Sequence, residues 1–143
     1  MGAHDSLLQC IMSEPAAPNR PLRIFVVENH EDTLTALTEY LTLMGHTVLS
    51  ALTMEGALRA LPPAHCDVLI SDIGLPDGDG WELLRRARLE PHVYTIAMSG
   101  FGLNSDRAKS EAAGYRKHLL KPFLPDDLDI MLAEAAVERA KNP

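Results

Sequence analysis

Residues 68–81 read VLISDIGLPDGDGW, and this stretch decides how the rest of the chain is interpreted. It begins as a short apolar run, which is typical of a strand buried on both faces of a parallel sheet. Asp72 stands where that run ends and a loop rich in glycine, proline and aspartate begins. In open α/β sheets, ligands collect at the carboxyl ends of strands. Taken alone, an aspartate after a strand is more often a turn residue or helix cap than a reactive group.

The composition narrows the class of protein. At 143 residues the chain is long enough for one domain with a single core. Thirteen basic against 20 acidic residues give a formal net charge of −7. Because phosphate binding requires basic clusters, this charge argues against a nucleic-acid or anionic-membrane surface. No apolar run approaches membrane-spanning length. We therefore expect neither nucleic acid nor membrane as a partner of these residues.

The cysteines and the first 21 residues carry little information about the fold. Cys10 and Cys66 have no metal-binding spacing, so a reduced, cytoplasmic setting is expected. Residues 1–21 lack hydrophobic periodicity, and the apolar segment 7–11 is too short for a signal-peptide core. We interpret residues 1–21 as a disordered leader or an added extension, with Met12 as an alternative start. Residues 22–141 form the predicted folded domain.

Strand and helix patterns alternate five times along this domain. Short apolar or β-branched runs predict strands at residues 22–27, 47–51, 68–72, 94–98 and 118–120. Each run is followed by a helical pattern with recognisable end signals. These signals are Gly45 after the first helix, the cap Thr53 and the terminating Pro62 and Pro63 around the second, the cap Asp79 of the third, Gly114 after the fourth, and Pro125 opening the fifth. The pattern predicts a parallel sheet covered by helices on both faces.

Polar residues follow four of the five predicted strands and should meet at one edge of the sheet. They are Glu28 and Asn29, Asp72, Ser99 and Lys121. Two carboxylates brought together repel each other unless cations compensate them. A lysine ammonium on one side and Mg²⁺, which prefers hard oxygen ligands, on the other would do so. An aspartate in such a setting can form an acyl phosphate.

Four segments carry a resemblance to a known family. They are VVENHED at 26–32, VLISDIGLPDGDGWELL at 68–84, TIAMSGFG at 95–102 and AAGYRKHLLKPF at 112–123. Together they resemble the receiver domain of two-component response regulators, most closely receivers attached to or partnered with hybrid histidine kinases. The resemblance covers Arg23 to about Ala140. It implies a single flavodoxin-like, doubly wound α/β fold, with five parallel strands in the order 2-1-3-4-5 and five helices.

The resemblance also implies roles for individual residues. Asp72 matches the aspartate that accepts a phosphoryl group, and Lys121 matches the lysine that pairs with it. Ser99 matches the hydroxyl that hydrogen-bonds the phosphoryl group. Glu28 matches the first member of the family's acidic pair, and Gly74 the residue whose backbone carbonyl binds Mg²⁺. The peptide bond before Pro122 is expected to be cis.

Three positions depart from the family pattern. Asn29 stands where a second acidic residue is usual; it can contact Mg²⁺ through a water but brings no charge, so weaker metal binding is expected. His118 occupies the position of a switch residue that is often tyrosine or phenylalanine, which weakens a simple in/out aromatic gate. Leu124 replaces the usual polar cap of the last helix, leaving Pro125 and the two aspartates after it to start that helix.

Several other polar or aromatic residues have simpler interpretations. His30 is predicted to be a surface residue at the start of a helix, and His46 and His65 solvated loop residues. Asp77 and Asp79 suggest a Ca²⁺ loop, but Trp81 occupies the next alternate ligand position, so we assign them to a turn and a helix cap. Trp81 itself is predicted to be half-buried helix packing.

Three hypotheses for function follow. The first is a phospho-accepting receiver whose partner is a sensor histidine kinase or a histidine phosphotransfer protein. Its switch would involve Ser99, His118 and the face of helix four, strand five and helix five, which is also a possible homodimer surface. The second is a degenerate receiver that signals by protein contact alone, for which Asn29 is the support. The third, an aspartyl-phosphate phosphatase, is disfavoured because Gly74 stands where a second aspartate is needed. We expect no enzyme activity beyond self-phosphorylation and autodephosphorylation, and no DNA-binding effector within these residues.

Overall fold

The structure, a computed structural model, describes residues 21–100 and 104–141, without the side chains of residues 104 and 105. The predicted leader lies outside the described residues except for its last position, Pro21. The loop at 101–103 and residues 142–143 also lie outside them. The predicted boundary between leader and domain therefore stays a prediction.

Five strands and five helices alternate along the described chain, as predicted. The strands are β1 (Arg23–Val27), β2 (Thr47–Ala51), β3 (Val68–Asp72), β4 (Tyr94–Ser99) and β5 (Lys117–Leu120). The helices are α1 (Glu31–Leu43), α2 (Met54–Ala64), α3 (Gly80–Ala87), α4 (Asn104–Ala113) and α5 (Pro125–Lys141). Between β3 and α3, the two-residue strands Gly74–Leu75 and Gly78–Asp79 pair into a small antiparallel hairpin.

The main sheet is parallel throughout, and its order is β2-β1-β3-β4-β5. This confirms the predicted flavodoxin-like order. In the register of the sheet, Ile70 of β3 lies between Val26 of β1 and Ile96 of β4. Because all five strands run the same way, their carboxyl ends meet at a single edge. That edge contains the candidate site.

The sheet is buried on both faces, which explains the continuous apolar runs of its central strands. In β1, Ile24 and Val26 face one core with α1 and α5, while Phe25 and Val27 face a second core with α2 and α3. These four side chains have no exposed surface. The two cores fix both faces of β1 and β3 and so hold the residues after them in place.

The predicted helix ends are confirmed except for the end of α2. The side chains of Thr53 and Asp79 each accept a hydrogen bond from the backbone amide three residues later, at 3.0 and 2.7 Å. Gly45 and Gly114 follow helices with φ of 98° and 111°, in the left-handed region. At the start of α5, the Leu124 amide donates to Asp127 Oδ2 at 3.2 Å, which is the reciprocal half of a capping box without a polar side chain at Leu124.

The prediction that Pro62 and Pro63 terminate α2 is wrong. Both prolines lie inside the helix, which continues to Ala64. Each proline lacks the N–H that would donate to the carbonyl four residues earlier, but its fixed φ is compatible with a helix, and only Ala64 follows the pair within α2. The helix ends instead at His65, which adopts a left-handed conformation with φ of 48°.

The loop after β3 is attached to the start of α2. In the turn of the hairpin, Asp77 accepts hydrogen bonds from the amides of Met54 and Glu55 at 2.8 and 2.9 Å. A Cβ on Gly78 would lie 2.6 Å from Met54 Sδ, so only glycine fits there without movement of the methionine. Asp77 therefore caps a helix that is distant in sequence, in addition to its predicted place in a turn.

Trp81 is half-buried helix packing, as predicted, and its indole links α3 to α4. Its half-buried ring contacts a small cluster that includes Ile73, Ala97 and Tyr115. The indole Nε1 donates to Ser110 Oγ of α4 at 3.0 Å, and Lys109 Nζ lies 5.2 Å from the ring centroid. These contacts are structural and lie on the α3–α4 side of the sheet.

Candidate functional site

Glu28, the first residue after β1, is a completely buried carboxylate. Its backbone amide donates to the Ala51 carbonyl at 3.1 Å, which continues the β1–β2 pairing by one residue. Its Oε2 accepts a hydrogen bond from the His30 amide at 3.0 Å, and its Oε1 forms an ion pair with Lys121. The end of β1 thus holds a negative charge inside the protein.

Asp72, the last residue of β3, is the second carboxylate at this edge. Its side chain is 13% exposed, so it is open to a small extent where Glu28 is not. Asp72 Oδ2 lies 3.0 Å from Lys121 Nζ, and Oδ1 accepts a long hydrogen bond from the Gly74 amide at 3.3 Å. The strand end therefore presents a carboxylate that is paired on one oxygen and only weakly bonded on the other.

Lys121 joins the two carboxylates. It follows β5, its amide donates to the Ser99 carbonyl at 2.8 Å, and the next peptide bond, to Pro122, is cis as predicted. Its Nζ contacts Glu28 Oε1 and Asp72 Oδ2 at once. Three residues from three different strands, separated by up to 93 positions, meet at a single ammonium group.

The charges of this cluster do not balance. Burial raises the pKa of Asp72, and this outweighs the opposing effect of Lys121. Burial acts in the same direction on Glu28, but hydrogen bonds from Lys121 and the His30 amide leave its pKa below the ordinary value. Burial would lower the pKa of Lys121, yet the two carboxylates raise it. Two carboxylates with one ammonium leave one negative charge in excess, and a cation would compensate it.

The donor set at this edge fits a hard cation bound partly by water. Ionised carboxylates have about four lone-pair positions, and the contacts of Glu28 and Asp72 leave some of theirs available. Mg²⁺ is usually held by only one or two carboxylates, with waters and phosphate oxygens completing its shell. Asn29 is exposed beside Glu28 and adds no charge. Within residues 21–100 and 104–141, no three Asp, Glu, His or Cys side chains converge into a metal cluster.

Ser99 and His118 meet beside the carboxylates. Ser99 is the last residue of β4 and is buried, and its Oγ lies 2.7 Å from His118 Nε2 on β5. Met98, the residue before Ser99, is in register with Asp72. His118 is half-buried, and burial, with a smaller effect of Arg107, lowers its pKa. The structure thus brings the predicted hydroxyl and the predicted switch residue into direct contact.

Apart from the pair Ser99 and His118, the structure sorts the predicted site residues into two groups. Glu28, Asp72 and Lys121 are joined by ion pairs, whereas Asn29 and Gly74 are exposed, and Gly74 reaches Asp72 only through its backbone amide. The carbonyl role of Gly74 and the water-mediated role of Asn29 stay predictions. Sequence reasoning missed the Ser99–His118 hydrogen bond, although the places of the two residues on adjacent strands were a usable signal.

Three histidines are predicted to be exposed surface or loop residues, and the structure confirms this for two of them. His30 and His65 are exposed, as predicted. His46 is not a solvated loop residue: it is half-buried and its Nδ1 accepts a hydrogen bond from the Leu22 amide at 3.1 Å. Burial lowers the pKa of His46. The correction has a physical reason, since the residue before β2 is drawn against the start of β1 by the pairing of the two strands.

Comparison with known proteins agrees with this geometry. A family model of the response regulator receiver domain matches residues 24–133. The chain is 35% identical over 116 residues to the transcriptional regulatory protein KdpE of Mycobacterium tuberculosis, covering 81% of this chain and 51% of that protein. It is 33% identical over 134 residues to the virulence sensor protein BvgS of Bordetella bronchiseptica, covering 88% and 11%.

A solved structure shows the same architecture. A CheY-like response regulator receiver domain protein from Methanospirillum hungatei superposes with a TM-score of 0.80 and 28% identity, covering 86% of this chain and 99% of that one. The present chain is likewise a parallel α/β domain, and it has a carboxylate–lysine cluster at the carboxyl edge of its sheet. The chain belongs to the response regulator receiver domain family. It spans about half the length of KdpE and about a tenth of BvgS. Among the described residues, no helix has the length and apolarity to cross a bilayer.

Proposed function

We propose that this domain accepts a phosphoryl group on Asp72 from a histidine kinase or a histidine phosphotransfer protein, in a reaction that depends on Mg²⁺. The observation that carries the proposal is the contact of Lys121 with both Glu28 and Asp72 at the strand ends. A buried carboxylate, a partly open carboxylate and one ammonium form a site with a nucleophile and an excess of negative charge. Such a site suits a reaction in which a phosphoryl group binds together with a cation that compensates the negative charge.

The chemistry assigned to the chain's own residues is a phosphoryl transfer. A carboxylate oxygen of Asp72 attacks the phosphorus of a phosphohistidine, and a P–O bond forms. The P–N bond breaks, and the leaving imidazole keeps the electron pair and takes a proton from water. Burial raises the pKa of Asp72 and so increases its basicity, while the ammonium of Lys121 at 3.0 Å opposes that rise by favouring the ionised form.

Three other residues assist that step. Lys121 offsets charge on the transferred group, and buried Glu28 holds the ammonium in position. We assign to Ser99 the hydrogen bond to a phosphoryl oxygen. When bound, Mg²⁺ would supply positive charge to the phosphoryl oxygens, held by Glu28, Asp72 and the Gly74 carbonyl, with Asn29 reached through water.

A phosphodonor experiment tests this function. Incubation with acetyl phosphate and Mg²⁺ should add one phosphoryl group that is stable in acid and cleaved by hydroxylamine. Asp72→Ala should abolish the product, and chelation of Mg²⁺ should prevent it. Asp67→Ala is the matched control, because it removes an aspartate just before β3 instead of at its end. Absence of the product from the unmodified protein, or its persistence in Asp72→Ala, would overturn the proposal.

A degenerate receiver, acting by protein contact without phosphorylation, is the alternative. The observation that favours it is Asn29, an exposed amide where a charged metal ligand would stand. Titration of Mg²⁺ into the protein, followed by calorimetry, separates the two. Heat of binding to the unmodified protein supports a phosphorylation site. Absence of binding both to it and to an Asn29→Asp variant supports the alternative.

The proposed output is a change in the face formed by α4, β5 and α5. Leu120, Ile130 and Val137 are 38%, 61% and 48% exposed there, which is consistent with a protein-contact surface or a homodimer interface. Phosphorylation of Asp72 would act on this face through Ser99 and His118, which link β4 to β5. We also propose a cytoplasmic location and no catalytic activity beyond self-phosphorylation and autodephosphorylation.

A further inference from the structure

The ring of His118 has two nitrogens in unlike settings. Nε2 lies 2.7 Å from Ser99 Oγ, which is hydrogen-bonding distance. Nδ1 is buried and has no hydrogen-bond partner within the part of the chain that the structure describes. The position of the ring hydrogen therefore decides which polar group is buried without a partner.

Three protonation states are open to this ring. Both the neutral Nδ1–H form and the doubly protonated form place an N–H donor at the buried nitrogen, where no described residue accepts it. The neutral Nε2–H form places a lone pair there instead. Buried donors without an acceptor are rarer in proteins than acceptors without a donor. Burial also lowers the pKa of His118, which disfavours the doubly protonated form.

We infer that His118 is held as the neutral Nε2–H tautomer and donates its ring hydrogen to Ser99 Oγ, which makes it a positioning residue for the Ser99 hydroxyl. A lone pair of Oγ is then occupied by His118, and the hydroxyl hydrogen must be donated to another acceptor. The opposite tautomer would make Ser99 the donor to His118, so its hydroxyl hydrogen would not be available to another acceptor.

The consequence concerns how a phosphoryl group on Asp72 is recognised, and this part rests on the proposed function. Phosphoryl oxygens are strong acceptors, and a hydroxyl already accepting from His118 can donate to one without losing its ring contact. Ser99 follows Met98, the register partner of Asp72, so the hydroxyl is carried by the strand next to the phosphoacceptor. His118 thus leaves the hydroxyl hydrogen of Ser99 available for donation before the phosphoryl group binds.

Nuclear magnetic resonance tests the tautomer without phosphorylation. In ¹⁵N-labelled protein at neutral pH, two-bond ¹H–¹⁵N correlations of the ring should show a protonated Nε2 and an unprotonated Nδ1. His118→Gln assigns the signals by their loss. His46 is an internal reference for this pattern, because its Nδ1 accepts from the Leu22 amide and its hydrogen must lie on Nε2. A protonated Nδ1 in His118 would overturn the inference.

Phosphorylation rates from acetyl phosphate test the positioning role. His118→Phe should slow the reaction up to about tenfold, the worth of one hydrogen bond. His118→Gln, which keeps an amide donor, should recover part of the rate. In a Ser99→Ala background, His118→Phe should have no further effect, because His118 acts through Ser99. Equal slowing in both backgrounds would contradict the positioning role. If the unmodified protein takes no phosphoryl group, the proposed function fails, while the resonance experiment still decides the tautomer.

Discussion

The two edges of the sheet each hold a cluster of charges, and the clusters differ in their balance. At the carboxyl edge, Glu28 and Asp72 share the ammonium of Lys121. At the amino edge, Asp67 accepts from the Arg139 guanidinium and from the Arg23 amide, each at 2.8 Å. The first cluster has an excess of carboxylate and the second pairs one carboxylate with one guanidinium. A pair of equal and opposite charges is compensated within the fold, whereas a cluster with an excess carboxylate requires a cation from outside.

The difference extends to burial. Glu28 has no exposed surface, whereas the side chains of Asp67 and Arg139 are 15% and 34% exposed. Partly solvated pairs contribute little to stability and lose little when broken. Buried charges are expensive to leave unpaired. Breaking the cluster at the carboxyl edge should therefore cost more stability than breaking the pair at the amino edge.

The largest expected effect comes from removing the shared lysine. Lys121→Met should lower the free energy of unfolding by about 3–5 kcal/mol, because it leaves the buried carboxylate of Glu28 without its counter-charge. Arg139→Met, the matched change at the amino edge, should lower it by at most about 1 kcal/mol. Urea unfolding at pH 7 measures both. Equal losses would mean that the two clusters are structurally equivalent.

Replacing one aspartate at each edge by asparagine should change stability in opposite directions. Asp67→Asn should lower the free energy of unfolding by about 2 kcal/mol, since an amide has one acceptor oxygen for two donors. Asp72→Asn should raise it at pH 7. The folded pKa of Asp72 lies above its ordinary value, so folding favours the protonated form and stability falls as pH rises through that folded pKa.

The pH dependence provides the check on Asp72→Asn. The gain should be present at neutral pH and disappear below about pH 3.9, the ordinary pKa of an aspartate, where Asp72 is protonated in both states. Urea unfolding of variant and parent across this range measures the difference. A gain that is independent of pH would show that its source is not the ionisation of Asp72.

The smallest expected effect is on metal affinity. Asn29→Asp should strengthen Mg²⁺ binding about tenfold, equivalent to about 1.4 kcal/mol, by adding a charge at the carboxyl edge. His65→Asp adds the same charge near the amino edge, at an exposed left-handed position that aspartate tolerates, and should leave the affinity unchanged. Calorimetric titration compares the two. An equal gain in both would indicate a general effect of net charge.

The alternating pattern was sufficient to predict which residues meet at the carboxyl edge, because a parallel sheet brings strand ends together whatever their separation in sequence. It could not predict that Lys121 contacts both carboxylates, since this depends on side-chain reach. The same limit applies to Asp77, whose contact with the start of α2 crosses 23 positions of sequence. Pro62 and Pro63 misled for another reason: proline weakens a helix by removing N–H donors, but its fixed φ does not force the helix to end.

The place of Trp81 makes the domain its own optical probe. It is the one tryptophan in the chain, and its indole is bonded to Ser110 of α4 and lies beside Lys109. Its emission should therefore respond when α4 moves relative to α3, and be insensitive to an ion that binds without moving that helix. A fluorescence change on adding a phosphodonor would then report the conformational response of the domain, separately from occupancy of its site.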